Sequence, residues 1–486
     1  MNAISAQARL LEAVHARGSG PALLWSDRSM SWAELDDRAL AAGARLAALG
    51  VRAGDRVACY AETDLDVIAA LLGAHAAGAI WVPVNPGYQD AELHHILEDS
   101  GASVVLCDDA DQGARRARVG ARARPLTSWW TRGSPRAHRV ADDDTALLIY
   151  TSGTTGRAKG CMLSFANIVG AIGALTALWE VGPDDELVHA LPLFHVHGLC
   201  VALHGALLRG ARTRLLDRFS PAAVVDAVAR GGTVFMGVPT MYRRLLDHLD
   251  AHPAAGAVLA RARLFCAGSA ALPAADLEAF ERHTGHRIVE RYGMSETLIT
   301  LSNPVRDERR AGTVGLPVPG VTTRVVDDEL QVQGPGVMRG YWNNAAATAA
   351  TMTADGFMKT GDTVRVDDHG YLCVVGRTST DILKVGGYKL SAREIEEQLA
   401  THPAVLEVAV VGVPDREWGQ RVVACVVPRD PSAPPTLAEL QRHVRLHESK
   451  KPRGLCVLAV LPKNAMGKVQ KTLLADSAAR SAVLAQ

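Results

Sequence analysis

Residues 150–160, YTSGTTGRAKG, constrain this chain more than any other stretch. The apolar run 145–150, TALLIY, leads into them and predicts a buried strand. Gly153, Gly156 and Gly160 permit positive φ and close approach of the backbone to a ligand. Successive free N–H groups in such a loop form a nest for anionic oxygens. Thr151, Ser152, Thr154 and Thr155 add neutral donors, and Lys159 adds a point charge. Together these groups suit the oxygens of a triphosphate. A flexible linker is the plain alternative, but a linker rarely follows a buried strand and ends in Lys-Gly. The loop is not a Walker loop, which carries Gly-Lys-Ser/Thr. Here Ala158 precedes Lys159 and Gly160 follows it, which disfavours a P-loop kinase or NTPase.

The 486 residues exceed one ordinary core and predict two or three domains. The 52 basic and 52 acidic side chains cancel, so net charge gives no support for nucleic acid or acidic membranes as partners. Eight Cys occur without a Cys-x-x-Cys pair. That pattern fits reduced, buried thiols in a cytoplasmic protein better than disulfides or zinc. Glu12 and His15 interrupt the N-terminal stretch where a signal peptide needs its apolar core. Residues 67–84 have the length of a short membrane span but hold His75, Gly73, Gly78 and Pro83. The favoured reading is a buried helix turning into a buried strand, with no membrane insertion.

Strand and helix signals alternate over 20–110, which predicts a mostly parallel sheet covered by helices. Ser31 and Glu34 form a capping-box pattern, with Leu35, Ala39, Ala42, Leu46 and Leu49 on one helical face. Strands are expected at 56–60 and 103–107, and a polar excursion over 108–144. A helix over 166–178 is expected directly after the loop. The alternation resumes with strands at 187–191, 233–238, 264–266 and 287–290. Ser220-Pro221 and Pro239 open helices. Beyond 320 the texture shifts to short strands and turns. Ser391 and Glu394 give a second capping-box pattern, and 391–470 reads as a small α+β domain.

Four further segments carry chemistry. In ERYGMSET, 290–297, a Gly turn displays Tyr292 for stacking, Ser295 for phosphate and Glu296 for Mg²⁺. In KTGD, Asp362 on a Gly turn suits a ribose diol, and Arg377 follows at a distance that suits a ribose or phosphate contact. DILKVGGYK, 381–389, pairs Gly386 with Gly387, which favours close backbone approach or a hinge. PKNAMGK, 462–468, sets Lys468 on a turn after the apolar run 455–461.

In this order and at these separations, YTSGTTGRAKG, RYGMSET, KTGD, GRTSTDILKVGGYK and NAMGK resemble the adenylate-forming superfamily, over about residues 20–475. The resemblance implies an α/β fold: a large N-terminal adenylation domain, 1–378, of mostly parallel sheets with a β-rich subdomain. A small, mobile α+β domain, 379–486, would follow, with a pivot near Ser379 and the active site between the two. It implies ATP, Mg²⁺ and coenzyme A as the small molecules used. Residue by residue, the 151–160 loop would hold the β- and γ-phosphates. Tyr292 would stack on adenine, with Gly268, Ser269 and Ala270 lining the base. Ser295 would contact phosphate, Glu296 would hold Mg²⁺, Asp362 would bind the ribose, and Arg377 the ribose–phosphate region. Lys468 would bridge carboxylate and phosphate during adenylation. Lys384, Gly386, Gly387 and Lys389 would face the thiol of CoA after the domain turns.

For the carboxylic acid, LPLFHVHGL, GVPTMY, GSAALP, ERYGMSET and RAGTVG resemble malonyl-CoA synthetases and their close relatives. Arg291 directly precedes Tyr292 and is expected near the acyl pocket, where a guanidinium fork would take a second carboxylate. His195, His197 and Met294 are the other expected lining residues. An exposed or structurally paired Arg291 is the alternative. The expected reaction is activation of malonate or methylmalonate as an acyl-adenylate and its transfer to CoA. The alternative is a biosynthetic ligase for another small or aryl acid, or one using a different acceptor such as an amine or an acyl carrier protein thiol. Several positions depart from the superfamily pattern: Arg157-Ala158 before the loop Lys, Ser295 for Thr, Ser379 at the pivot, and the short 326–330 stretch.

Overall fold

The computed structural model describes residues 4–108, 117–126, 138–151, 157–385, 388–463 and 469–483. The chain forms two compact units: 1–323 with 332–358, and 324–331 with 359–486.

The first unit is built on two large sheets. The nine-stranded sheet runs, in spatial order, Leu316–Pro317, Leu301–Ser302, Val289–Tyr292, Leu264–Ala267, Val234–Gly237, Glu186–His189, Arg212–Leu215, Pro21–Trp25 and Arg28–Ser31. Its central pairings are parallel, as βαβ rhythm requires, and its edges turn antiparallel. The seven-stranded sheet runs Gly340–Tyr341, Lys159–Ser164, Thr145–Thr151, Ile80–Pro83, Arg56–Tyr60, Val104–Cys107 and Ala123–Pro125. The Ser31 capping box forms in full and opens the helix Trp32–Ala48. Residues 67–84 fold as the buried helix Leu65–Ala76 and the buried strand Ile80–Pro83. No helix among the described residues is long and apolar enough to cross a membrane.

Three local features were not expected from the sequence. A strand, Lys159–Ser164, intervenes before the helix expected after the loop, and that helix begins at Phe165 with Ser164 as its cap. Its six residues carry no clean alternation, and the strand forms because Thr145–Thr151 offers it an antiparallel partner. The 108–144 excursion contributes an edge strand, Ala123–Pro125, paired to Val104–Cys107. Residues 197–204 wind as a π-helix after the strand Glu186–His189.

In the second unit, Met358–Val366 pairs antiparallel with Leu372–Arg377, which sets Asp362 opposite Arg377. The short 326–330 stretch turns at Asp327 and Asp328, both at positive φ (52° and 69°), the signature of a tight hairpin turn. Ile382–Val385 and Tyr388–Ser391 form a two-stranded ribbon. Val405–Asp415, Gly419–Pro428 and Gly454–Val457 form a three-stranded sheet, accompanied by the helices Ala392–Ala400 and Lys471–Val483. The second capping box is only half formed. Ser391 Oγ accepts from the Glu394 N–H at 3.3 Å, but the Glu394 carboxylate pairs with Lys450 at 2.7 Å instead of turning back.

Candidate active site

The loop of residues 151–160 is the tip of a β-hairpin. Thr151 stands opposite Lys159 on the last rung, so both roots of the loop are fixed across one sheet. Ser152, Gly153, Thr154, Thr155 and Gly156 lie outside the described residues. At Gly160 a Cβ would sit 2.8 Å from Leu148 Cδ1, so a larger residue would displace that side chain. The roots are also tied to the helix Asp90–Ser100. His95 Nε2 lies 2.8 Å from the Ala158 carbonyl, and the Tyr150 hydroxyl donates to Asp99 at 2.5 Å. The Ala158 carbonyl is thus held by an imidazole.

The 290–297 segment leaves the strand Val289–Tyr292 through a cramped turn. A Cβ on Gly293 would lie 1.9 Å from the Leu298 carbonyl, and Leu298 itself takes a positive φ of 53°. The turn leaves Tyr292, Met294 and Ser295 half-buried and buries Glu296. Glu296 Oε1 accepts from the Tyr341 hydroxyl at 2.9 Å and lies 3.5 Å from Thr151 Oγ1. Lys159 Nζ stands 4.9 Å from the centre of the Tyr341 ring. Among the described residues no group of three His, Cys, Asp or Glu side chains could hold a metal by itself. A single oriented carboxylate fits Mg²⁺ bound together with substrate phosphates, which is how that ion is usually held.

Arg291 decides the character of the neighbouring space. Its side chain is buried, with Nε and Nη2 lacking hydrogen-bond partners among the described residues. Burial pulls its pKa down to about 10, so it stays charged at neutral pH. It is therefore neither exposed nor structurally paired. Gly268 exists to admit it: a Cβ there would lie 2.4 Å from Arg291 Cζ. Beyond Gly268, Ser269 takes a positive φ of 72°, and Ser269 and Ala270 are exposed. The Ser269 hydroxyl lies 3.2 Å from His197 Nδ1. Burial, then the Arg291 charge, push the His197 pKa well down; burial alone takes His195 and His189 to about 4. His195 Nε2 and His197 Nε2 also lack partners. The guanidinium thus has the neutral His197 ring and the Cys266 thiol as neighbours. A buried cation without a counter-charge is costly and calls for an anionic ligand.

In the second unit Asp362 is buried and pairs with Arg377 at 3.2 Å (Oδ1 to Nε). Arg377 Nη1 donates to the Thr360 carbonyl at 2.7 Å, and Gly361 has a positive φ of 70° that bends the strand there. Lys384 and Lys389 stand opposite each other on the two-stranded ribbon. Lys389 is engaged by Asp328 at 3.0 Å. Gly386, Gly387 and Lys468 lie outside the described residues. The two described lysines nearest to Lys468 in sequence are in ion pairs. Lys463 pairs with Glu407 at 2.7 Å, and Lys471 pairs with Asp381 and Glu396, each at 2.7 Å.

Tyr341, His95 and Lys471 were not legible as site residues. Tyr341 sits in GYWNN, which carries no chemistry until pairing with Lys159–Ser164 sets Tyr341 opposite Cys161. His95 and Lys471 belong to no motif singled out in the sequence.

Residues 10–342 match the model of the AMP-binding enzyme family, and 394–468 match that of the AMP-binding enzyme C-terminal domain. The chain belongs to the AMP-binding enzyme family. It is 36% identical to a malonate–CoA ligase of Arabidopsis thaliana, over 87% of this chain and 78% of the relative. Among solved structures, ATP-bound MatB from Rhodopseudomonas palustris is similar with a TM-score of 0.90 and 34% identity, covering 97% of this chain and 99% of that one. A malonyl-CoA ligase in a ternary product complex with methylmalonyl-CoA and AMP is 42% identical, with a TM-score of 0.72, covering 93% and 100%. The expected fold is that of these AMP-binding enzymes: a mixed α/β first unit and a C-terminal domain.

Proposed function

We propose that this chain is an ATP-dependent acid–thiol ligase that converts malonate or methylmalonate and CoA to the acyl-CoA, releasing AMP and pyrophosphate. The observation that carries the acid is Arg291. It is a buried cation whose Nε and Nη2 lack hydrogen-bond partners among the described residues, one residue before the proposed adenine-stacking Tyr292. A small dicarboxylate answers it: one carboxylate neutralises the guanidinium and the other reacts. An apolar acyl chain would leave the charge buried and unanswered.

The chemistry has two halves. An oxygen of the reacting carboxylate attacks the α-phosphorus of ATP, and pyrophosphate leaves. The CoA sulfur then attacks the acyl carbon, its proton is lost, and AMP departs with the carboxylate oxygen. Both reactants of the first half are anions, so the protein must neutralise charge as they meet. We assign that work to Lys159, the 152–156 loop, Ser295 and Lys468. Glu296 would hold Mg²⁺, which supplies charge neutralisation on the phosphates. Tyr292, Gly268, Ser269 and Ala270 are assigned to adenine, and Asp362 and Arg377 to ribose and phosphate. His195, His197 and Met294 are assigned to the acid pocket. The neutral state of the two imidazoles favours them as hydrogen-bonding walls rather than second cations.

Lys384, Gly386, Gly387 and Lys389 are assigned to the thiol step, with 379–486 turning about Ser379 between the halves. A cytoplasmic setting belongs to the same reading, supported by eight cysteines held as thiols, seven of them buried. The test is product analysis with ATP, Mg²⁺, CoA and malonate. Malonyl-CoA and AMP should accumulate in equal amounts. Formation of ADP, or of an adenylate that CoA does not discharge, would defeat the proposal.

A further inference from the structure

Three features of the first unit converge on one side chain that the roles above leave unused. Tyr341 is buried on the strand Gly340–Tyr341, fixed in register opposite Cys161 of the hairpin that carries Lys159. Its hydroxyl donates to Glu296 Oε1, and its ring face lies under Lys159 Nζ at 4.9 Å. Among the described residues, both hydrogen bonds made to the Glu296 side chain, from Tyr341 and Thr151, fall on the same oxygen, Oε1.

We propose that Tyr341 is a positioning residue that keeps Lys159 and Glu296 apart and ready, one for phosphate and one for the divalent cation. The inference rests on the roles assigned above to those two residues. A lysine and a glutamate facing one site are drawn into a direct ion pair, which would neutralise both. An aromatic ring between them prevents this without leaving either side unsatisfied. The electron-rich face holds the ammonium by a cation–π contact, which leaves its N–H donors for phosphate oxygens. The phenol edge holds one carboxylate oxygen by a charge-assisted hydrogen bond. With Oε1 occupied, Glu296 is oriented to present Oε2 to the cation. The backbone fixes the ring independently of any ligand. The Tyr341 N–H donates to Thr348 Oγ1 at 2.9 Å, and the neighbouring Trp342 N–H donates to the Gly160 carbonyl at 2.7 Å. The strand that presents the tyrosine is therefore clamped to the root of the phosphate loop. A Phe at this position would keep the insulation and lose the orientation. A Leu would lose both.

The test uses the full chain without acid or CoA. Thermal stabilisation by ATP is followed while free Mg²⁺ is titrated, for wild type, Tyr341→Phe, Tyr341→Leu and Glu296→Gln. Tyr341→Phe should raise the Mg²⁺ concentration for half-stabilisation about tenfold, the scale of one hydrogen bond to a charged group. Its melting temperature without ligand should fall only by the loss of one buried hydrogen bond, because ring and packing are retained. Tyr341→Leu should show the same Mg²⁺ shift and also weaker ATP stabilisation at saturating Mg²⁺, since Lys159 is released. An unshifted Mg²⁺ midpoint in Tyr341→Phe, beside a clear shift in Glu296→Gln, overturns the inference and leaves the role of Glu296 standing. No shift in Glu296→Gln overturns that role and the inference with it.

Discussion

Replacing Arg291 by Met should separate function from stability in opposite directions. In the folded protein the guanidinium is buried, its Nε and Nη2 lack hydrogen-bond partners among the described residues, and the titratable side chains coupled to it are the neutral His197 ring and the Cys266 thiol. Among the described residues no hydrogen bond to Nε or Nη2 compensates its desolvation. Met keeps most of the stem volume and removes the charge. Stability should therefore stay level or rise, on the order of 1 kcal/mol, as when buried ionic groups give way to apolar ones. The substrate pays the opposite side of the balance. Removing one partner of a buried, hydrogen-bonded charge pair costs about 2–5 kcal/mol. That predicts a fall in kcat/KM for malonate of roughly 30- to 4000-fold at about 1.4 kcal/mol per decade. Acetate, which has no second carboxylate, should change by less than about threefold, as expected when no contact to it is lost. The assay is acid-dependent ATP–pyrophosphate exchange for both acids, paired with urea unfolding. Gly268→Ala should act in the same direction, because its Cβ would meet the guanidinium carbon at 2.4 Å and force it aside. Equal losses for malonate and acetate, or a loss of more than about 2 kcal/mol of stability, would show that Arg291 is a structural residue.

Other consequences are simpler to state. His75, His189 and His204 are fully enclosed, and burial holds their pKa values below 6.5, to about 4 for the latter two. The unfolded chain takes up these protons first as the pH falls. Stability present at pH 7 should therefore decline below about pH 6.5 and continue to fall toward pH 4, each group adding up to about 1.4 kcal/mol per pH unit. A melting temperature unchanged between pH 7 and pH 5 would contradict this. Lys471→Met leaves Asp381 and Glu396 facing each other without their shared cation. It should destabilise the second unit by about 3–5 kcal/mol, seen as faster amide exchange across 381–400 with the first unit unaffected; uniform or unchanged exchange would refute it. Lys468→Ala should abolish adenylation while sparing CoA transfer from supplied malonyl-adenylate, and equal loss in both would overturn its assignment.

Much of the fold was legible because its signals are local and agree with one another. The capping box at Ser31, the Ser220-Pro221 start and the apolar runs at 56–60 and 264–266 each specify an element without help from distant residues. The strand Lys159–Ser164 was not legible, because its partner decides it. The half-formed box at Ser391 failed for a related reason: Lys450, remote in sequence, offers Glu394 a stronger contact. At the site, residues that announce chemistry by type and spacing were singled out from the sequence as proposals: the 151–160 loop, Glu296, Asp362 and Arg377. Residues that act by holding others were not. Tyr341 and Lys471 acquire meaning only when topology sets them beside Glu296 and Asp381. Arg291 lies between these cases. Its neighbour Tyr292 gave its place along the chain, but only the structure gives its lack of a partner, and that is what points to a second carboxylate.

The most direct test of the account is pyrophosphate exchange by the wild-type protein across malonate, methylmalonate, acetate, a medium-chain acid and an aryl acid. Exchange should be driven by malonate or methylmalonate far above the monocarboxylates, and adding CoA should convert the signal into AMP and the acyl-CoA. Leading exchange with a monocarboxylate or aryl acid would leave the AMP-binding family standing and contradict the dicarboxylate pocket.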